Sequence, residues 1–256
     1  MARVQTRQHP YHQVEARGSN MIEITALGSS SKGNCYRITD GITPLLLECG
    51  IRHKEIQRKL DFKTSEIKAC LVSHEHKDHS RAIADILKSG IDVYCSRGTA
   101  NSLNLTSNHR IQMVDKLIPF TIGTWTILPF ETQHDAAEPL GFLMANAAGD
   151  KLLFATDTYY IKYRFNGLTH VMLECNYAID ILRANVDAGV VPPALKDRII
   201  QSHFSLENVK GFLRANDLSR VQEIWLIHLS DDNSDTERFK REIQMLMGKP
   251  VRVADQ

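Results

Sequence analysis

A polar stretch with the sequence Ser73-His74-Glu75-His76-Lys77-Asp78-His79-Ser80 constrains this chain more than any other segment. It directly follows the apolar residues 69–72, a pattern typical of a buried strand that ends in a loop. Residues 81–88 then carry apolar side chains at helical spacing. The sequence therefore predicts a strand, a histidine-rich loop and a helix in direct succession.

The loop presents four side chains that can bind a metal, namely His74, His76, Asp78 and His79. His74 and His76 are two residues apart on an extended segment, so their side chains point the same way. Asp78 and His79 are adjacent at the predicted helix start and leave in another direction. Clustered histidines and carboxylates mark metal sites, whereas a single loop histidine is more often solvated or caps a helix. We therefore expect this turn to offer ligands to two metal ions side by side.

Composition restricts the classes of partner. The formal net charge of the 256 residues is +1, so any phosphate substrate must be held by local groups rather than by a global basic field. No apolar run has membrane length, and no signal-peptide pattern is present at the start. The five cysteines are scattered without a Cys-x-x-Cys pair, as in proteins of reducing compartments. We expect a cytoplasmic protein with no membrane partner.

The chain divides into a tail and one domain. Residues 1–20 are polar and lack periodicity, which favours a flexible tail; a basic arm that contacts nucleic acid or a partner subunit is the alternative. From residue 21 onward, strand and helix patterns alternate without a linker or an internal repeat. This alternation predicts a single α/β domain over residues 21–256.

Three more polar side chains lie where predicted strands end. His134 lies between the strands 125–130 and 140–145, Asp157 follows the strand 151–155, and His228 follows the strand 222–227. Each of them alone is more often a solvated side chain or a helix cap. Together with the histidine-rich loop they predict one shared site, because open α/β sheets group their ligands at strand ends. His170, just before another strand, is expected to face solvent.

Two segments can contribute to phosphate binding. The loop Gly28-Ser29-Ser30-Ser31-Lys32-Gly33-Asn34 offers backbone N–H groups and Ser30, although it lacks the ending of a P-loop and a plain hairpin loop is favoured. Ser205 is placed as the N-cap of a helix over 205–215, whose start would accept a phosphate. His203, just before it, is a candidate catalytic residue. The alternative is that His203 only forms hydrogen bonds at the entry to the helix.

The run His74-Glu75-His76-Lys77-Asp78-His79 matches the signature His-x-His-x-Asp-His, and the chain resembles the metallo-β-lactamase superfamily over nearly all of its length after residue 21. The resemblance implies a four-layer αββα sandwich. It also implies two metal sites that share the bridging ligand Asp157. The other ligands of the first site would be His74, His76 and His134. Those of the second would be Asp78, His79 and His228.

Further segments are similar to the YycJ (WalJ/VicX) branch, which is bacterial, has phage relatives and is associated with exonuclease activity on DNA. They cover residues 28–36, 134–142, 202–205 and 228–233. The chain departs from the branch in two places. Glu48-Cys49-Gly50 replaces Asp-Cys-Gly, and Ser202-His203-Phe204-Ser205 replaces Gly-His-Leu-Ser. Both changes leave the expected ligand set intact, and the second alters a backbone position near the expected phosphate site.

The resemblance implies a dinuclear metal-dependent phosphodiesterase related to tRNase Z, most simply an exonuclease-like nuclease that hydrolyses DNA or RNA through a metal-bridging hydroxide. Asp157 would span the metals, Asp78 would orient the nucleophile, and His203 would stabilise the transition state or protonate the leaving group. Zinc suits the imidazole-rich ligands, with manganese or iron as alternatives.

Two other functions stay open, a phosphodiesterase of small cyclic nucleotides, as in phage members of the superfamily, and a non-catalytic binding protein on the same fold. A homodimer is also an open possibility, since relatives often dimerise.

Overall fold

The computed structural model describes residues 22–254, so the predicted tail over residues 1–20 lies outside the described part. The strands of the first half are β1 (Glu23–Gly28), β2 (Cys35–Thr39), β3 (Leu45–Leu47), β4 (Ala69–Leu71), β5 (Asp92–Cys95) and β6 (Ile111–Met113). Those of the second half are β7 (Phe120–Ile122), β8 (Trp125–Glu131), β9 (Leu140–Ala145), β10 (Lys151–Ala155), β11 (His170–Glu174), β12 (Glu223–Ile227) and β13 (Val251–Val253).

Helices occur in five of the twelve connections between these strands. They are α1 (His53–Lys59), α2 (Lys77–Ser80), α3 (Ile83–Lys88), α4 (Arg97–Ser102), α5 (Ile179–Asp187), α6 (Pro193–Ser202), α7 (Leu206–Ala215) and α8 (Thr236–Met247). Within residues 22–254, no helix has the length and apolar character needed to cross a membrane.

Each half of the chain forms one sheet, and the two sheets follow the same plan. In the first, the strands lie in the order β1 to β6; β1, β2 and β3 pair antiparallel, and the pairs from β3 to β6 are parallel. In the second, the order runs from β13 to β7, with antiparallel pairs from β7 to β10 and parallel pairs from β10 to β13. Within the described residues, helices connect every parallel pair except β10 and β11, which are joined by a segment without a helix.

Three apolar clusters show how the layers stack. Side chains of both sheets, including Tyr36, Leu47, Trp125 and Phe154, pack between the sheets. The outer face of the first sheet packs against α1 and α3, and the outer face of the second packs against α7 and α8. The layers therefore run helix, sheet, sheet, helix, and the predicted αββα sandwich is confirmed.

Some local predictions were wrong. The short strand β13, which the sequence analysis did not predict, follows α8 and pairs with β12. The helix expected over 81–88 begins at Ile83, and α2 precedes it as a separate turn. His170 is buried rather than solvent-facing, with Nδ1 2.9 Å from Thr169 Oγ1. Because β11 lies between β10 and β12 in a sheet covered on both faces, its residues have no access to solvent.

Candidate metal centre

The structure brings three histidines and one carboxylate together in a first cluster, formed by His74, His76, His134 and Asp157. Nδ1 of His76 lies 3.1 Å from Nε2 of His74 and 3.1 Å from Nε2 of His134. Oδ2 of Asp157 lies 3.5 Å from each of the same two Nε2 atoms. Four ligands placed about 2.0–2.1 Å from a zinc ion form a tetrahedron with edges of about 3.3–3.4 Å. The four atoms therefore fit a tetrahedral metal site in both chemistry and spacing.

A second cluster lies beside the first and consists of Asp78, His79, His228 and Asp157. Oδ2 of Asp78 lies 3.2 Å from Nε2 of His79 and 3.3 Å from Nε2 of His228. Oδ2 of Asp157 lies 3.2 Å from Nε2 of His79. The same Asp157 oxygen thus belongs to both clusters, as expected of a ligand between two metal ions.

Strand ends with unusual backbone geometry place several of these side chains. Asp157 follows β10 with φ of 43°, His228 follows β12 with φ of 53°, and Glu48 follows β3 with φ of 64°. Residues other than glycine rarely adopt this left-handed conformation, and each instance costs about 1–3 kcal/mol. Such conformations persist where surrounding contacts fix them, and they concentrate at functional sites.

Two rings of the first cluster have neutral hydrogen-bond partners, and the partly exposed carboxylate of Asp135 lies 3.4 Å from Nδ1 of His134. Nδ1 of His74 lies 2.9 Å from Ser73 Oγ, and Nδ1 of His134 lies 3.0 Å from the carbonyl oxygen of Ser202. Because that carbonyl can only accept, His134 carries its hydrogen on Nδ1 and leaves Nε2 free for a metal. Burial lowers the pKa of both His74 and His134, which favours the neutral imidazole that metals bind.

A buried carboxylate that the sequence analysis missed, Glu174 at the end of β11, orients the second cluster. Its Oε1 lies 3.0 Å from Nδ1 of His228 and 2.6 Å from Nδ1 of His203. Its Oε2 accepts the backbone N–H groups of Thr158 and Phe204 at 3.0 and 3.2 Å. One fixed carboxylate therefore sets the direction of both rings. The signal in the sequence was an acidic residue within the otherwise apolar run 171–175.

Glu48 has a similar position on the other side of the second cluster. It is fully buried, its Oε2 lies 3.6 Å from Nδ1 of His79, and it accepts the backbone N–H of Ser73 at 3.2 Å. No hydrogen-bond partner is found for Nδ1 of His79 among residues 22–254. The replacement of aspartate by glutamate at position 48 therefore keeps a carboxylate behind a ring of the second cluster.

The electrostatics of the second cluster differ from those of the first. Burial opposes the charged form of His79 and His228, but nearby carboxylates outweigh it and raise the pKa of His79, and that of His228 to about 10. Burial likewise opposes ionisation of Asp157, but His228 and His79 outweigh it and keep its pKa well below the ordinary value. In this structure, positive imidazolium groups balance the buried carboxylates. A divalent cation would supply the same positive charge, so the residues fit a metal.

His203, Ser205 and Ser30 are the remaining predicted site residues. The ring centroid of His203 lies 5.6 Å from those of both His134 and His228. Ser205 is buried and its Oγ accepts the Asn208 N–H at 3.1 Å, so it caps α7 as expected. Ser30 is buried, and its Oγ accepts the Lys32 N–H at 3.1 Å within its own turn. The structure brings His203 to the clusters and gives both serines local hydrogen bonds; their contact with phosphate stays a prediction.

Comparisons with known proteins agree with this geometry. The family model described as a β-lactamase superfamily domain matches residues 46–229. The exodeoxyribonuclease WalJ of Streptococcus pneumoniae is 27% identical over 227 residues, which cover 82% of each protein.

Two solved structures superpose over most of the chain. YhfI of Bacillus subtilis, described as a metallo-β-lactamase fold protein, has a TM-score of 0.72 at 16% identity and covers 92% of this chain and 96% of its own. The short form of human tRNase Z has a TM-score of 0.61 at 14% identity and covers 92% of this chain and 97% of its own.

These findings confirm the predicted fold and the resemblance to the WalJ branch, and they confirm the predicted class, a metal-dependent hydrolase. The two clusters supply His and Asp side chains suited to metal ions at the expected strand ends. The family model matches well over half of the sequence. The chain therefore belongs to the β-lactamase superfamily.

Proposed function

We propose that this protein is a dinuclear metal-dependent phosphodiesterase that acts as an exonuclease-like nuclease on DNA or RNA. The observation that carries this proposal is the Asp157 Oδ2 atom, which lies within 3.5 Å of ligand nitrogens from both clusters. A pair of metal sites joined by one carboxylate suits phosphodiester hydrolysis, in which charge builds up on both the attacking and the leaving oxygen. DNA is favoured as a substrate by the 27% identity to a relative named as an exodeoxyribonuclease.

The first metal would be held by His74, His76 and His134, and the second by Asp78, His79 and His228, with Asp157 between them. Zinc is the best match to this imidazole-rich set, and manganese or iron are the alternatives. When bound, the two ions would supply Lewis acidity, which activates water and offsets negative charge on the phosphoryl oxygens.

Asp78 is the ligand carboxylate most open to the substrate. Its side chain is 24% exposed, whereas that of Asp157 is 3% exposed. A partly exposed carboxylate can accept a hydrogen bond from the attacking water and hold it in line with the phosphorus. We therefore assign orientation of the nucleophile to Asp78 and the bridging position to Asp157.

We assign the proton of the leaving oxygen to His203. Glu174 accepts its Nδ1–H, so Nε2 is the ring nitrogen left for the substrate. The side chain is 21% exposed and its ring lies next to one histidine from each cluster. From this position His203 can donate a proton to the leaving oxygen or a hydrogen bond to a phosphoryl oxygen, a contribution of about 10²–10⁴-fold.

The test is hydrolysis of three substrates in parallel, with zinc or manganese added: end-labelled linear DNA, single-stranded RNA and a panel of cyclic nucleotides. Asp78→Ala and His203→Ala are expected to lower nucleotide release by about 10²–10⁴-fold. His109→Ala is the matched control, because His109 is exposed and belongs to neither cluster, and it is expected to keep full activity.

Two results would contradict the proposal. Turnover of cyclic nucleotides alone would identify a phosphodiesterase of small molecules instead of a nuclease. Two bound metal ions without turnover of any of the three substrates would contradict a phosphodiesterase altogether.

A further inference from the structure

A depression with a volume of about 510 Å³, here called the basic groove, lies beside the second cluster. It is formed by the loop after β1, the helix α1 and the end of α2. The charged side chains that line it are Lys32, Arg52, Glu55, Arg58, Lys59 and Arg81. Five basic groups and one acidic group in so small a volume stand out in a chain whose net charge is +1.

Hydrogen bonds connect the segments around the basic groove to the backbone of the second cluster. Ser29, which lines the groove, accepts the backbone N–H of His228 through its Oγ at 2.9 Å. The Asn34 N–H donates to the carbonyl oxygen of Asp78 at 2.7 Å, and the Gly50 N–H donates to the carbonyl oxygen of Asn34 at 2.8 Å. The groove therefore adjoins the side of the metal centre formed by Asp78 and His228.

Most of the positive charge in the groove is not balanced by the protein. Lys32 pairs with Asp231 at 2.8 Å, and Glu55 accepts the backbone N–H of Arg52. For four exposed side chains, no ion pair is found within the described part of the chain; they are those of Arg52, Arg58, Lys59 and Arg81. Like charges held close together repel one another, so an anion with several charges is the ligand that this arrangement favours.

The side of the metal centre next to His134 has the reverse balance. A larger cleft of about 880 Å³ lies against His134, and its carboxylates outnumber its basic side chains. The charged residues that line it are Lys116, Glu131, Asp135, Glu138, Asp197 and Arg198. Both bases are already paired, Arg198 with Asp135 at 3.1 Å and Lys116 with Glu131 at 3.4 Å. A chain that carries several phosphate groups is therefore attracted to the basic groove and disfavoured in this cleft.

We propose that the basic groove binds the sugar-phosphate backbone of a single nucleic-acid strand and leads the end of that strand to the metal centre. This inference rests on the proposed nuclease function and adds the side from which the polymer enters. Exposed Arg and Lys groups contact phosphates without reading bases, so the groove provides affinity and little sequence preference. Both DNA and RNA strands present this backbone.

The test measures binding of labelled 12-nucleotide DNA and RNA strands to the full-length protein by fluorescence anisotropy at several salt concentrations. The groove variant replaces the four unpaired bases with glutamine: Arg52→Gln, Arg58→Gln, Lys59→Gln and Arg81→Gln. Each lost phosphate contact lowers the slope of log K against log salt by about 0.7 for a single strand, so the slope should fall by about 3.

A control variant removes four positive charges elsewhere and so has the same net charge. Its substitutions, at side chains that do not line the groove, are Lys63→Gln, Lys68→Gln, Lys240→Gln and Arg241→Gln. It is expected to keep the wild-type slope. A groove variant with the wild-type slope, or a control with an equal loss, would overturn the inference.

Turnover separates this inference from the proposed function. Bis(p-nitrophenyl) phosphate is too short to extend from the metal centre along the groove, so it reports on the centre alone. The ratio of oligonucleotide turnover to turnover of this ester is expected to fall at least about tenfold in the groove variant, given the salt-dependent term that phosphate contacts supply. If the wild-type protein hydrolyses neither substrate but its binding still depends on the groove, the nuclease function fails and the groove stands.

Discussion

The two clusters share a ligand atom but differ in the groups behind their histidines. In the first, Ser73 Oγ and the Ser202 carbonyl are the hydrogen-bond partners of His74 and His134, and the carboxylate of Asp135, which is 44% exposed, lies 3.4 Å from Nδ1 of His134. In the second, the buried carboxylate of Glu174 holds His228, and that of Glu48 lies behind His79. A carboxylate partner makes an imidazole a more basic ligand than a neutral partner does. The comparison shows that residues outside the ligand shell decide how strongly each side of one centre attracts a cation.

The difference appears in the direction of the pKa shifts. Burial lowers the pKa of His74 and His134, whereas carboxylates overcome burial and raise the pKa of His79 and His228. The second cluster contains two ligand carboxylates, Asp78 and Asp157, whereas the first contains only Asp157. We expect the second cluster to depend more strongly on its outer partners.

The largest effect is expected from Asp157→Asn, since it alters the only ligand common to both clusters. The amide is neutral, so both clusters lose charge at once. Hydrolysis should fall by more than about a thousandfold, beyond the 10–100-fold typical of an outer partner. The measurements are kcat/KM and metal content per chain. Asp187→Asn, at an exposed carboxylate, is the control, and an Asp157 variant with two tightly bound metals and near-normal activity would refute a shared ligand.

A sharper test compares Glu174→Gln with Ser73→Ala. Loss of the carboxylate should weaken metal binding at the second cluster by about 10–100-fold, and loss of the neutral hydroxyl should weaken the first cluster less. Stepwise zinc titration against a chromophoric chelator resolves the two affinities. Equal losses in the two variants would show that the charge of the outer partner does not matter.

Gly50→Ala tests how the second cluster is positioned. A Cβ at this residue would lie 1.6 Å from the carbonyl oxygen of Asp78, so the loop that carries Asp78 and His79 must move. We expect a loss of about 1–3 kcal/mol in the free energy of unfolding and weaker binding of the second metal only. Urea unfolding and the zinc titration measure these two effects.

The control for that variant is Gly211→Ala in α7, where a Cβ would meet nothing within 4 Å. Alanine is favoured over glycine in a helix by about 0.8–1.0 kcal/mol, so this variant should gain stability. If the two substitutions had the same effect, the close approach of Gly50 to the metal-binding loop would have no energetic weight.

The smallest effect is expected from Ser205→Ala. Because Ser205 Oγ caps α7 through the Asn208 N–H, its removal should lower the free energy of unfolding by about 1 kcal/mol. If the hydroxyl acts only as a cap, KM for DNA is unchanged. A clear rise in KM without a loss of stability would instead assign it to phosphate binding and enlarge the site beyond the two clusters.

The sequence identified candidate ligands where metal-binding side chains directly follow an apolar, strand-like run. The loop from His74 to His79 could be found because ligands cluster within six residues, and Asp157 and His228 because each follows an apolar run. Glu174 could not be assigned in this way, since its function arises only when His203 and His228 approach it from other elements. The sequence pattern shows on which element a residue lies, whereas the contacts of its side chain depend on how the sheets pack.

The basic groove was missed for the same reason. Its charges come from three separate segments, and a net charge of +1 conceals their convergence. His170 was misjudged because solvent access depends on the neighbouring strands and not on local polarity. Burial and charge density are properties of the assembled sandwich.

Neither half of the chain can build a metal site by itself. His74 to His79 follow a strand of the first sheet, whereas His134, Asp157 and His228 follow strands of the second. During synthesis on the ribosome, the first cluster stays incomplete until Asp157 has emerged. The second must wait for His228, which is made 150 residues after Asp78. A complete metal site therefore forms only after the two sheets have packed together, so metal binding follows the folding of both halves of the chain.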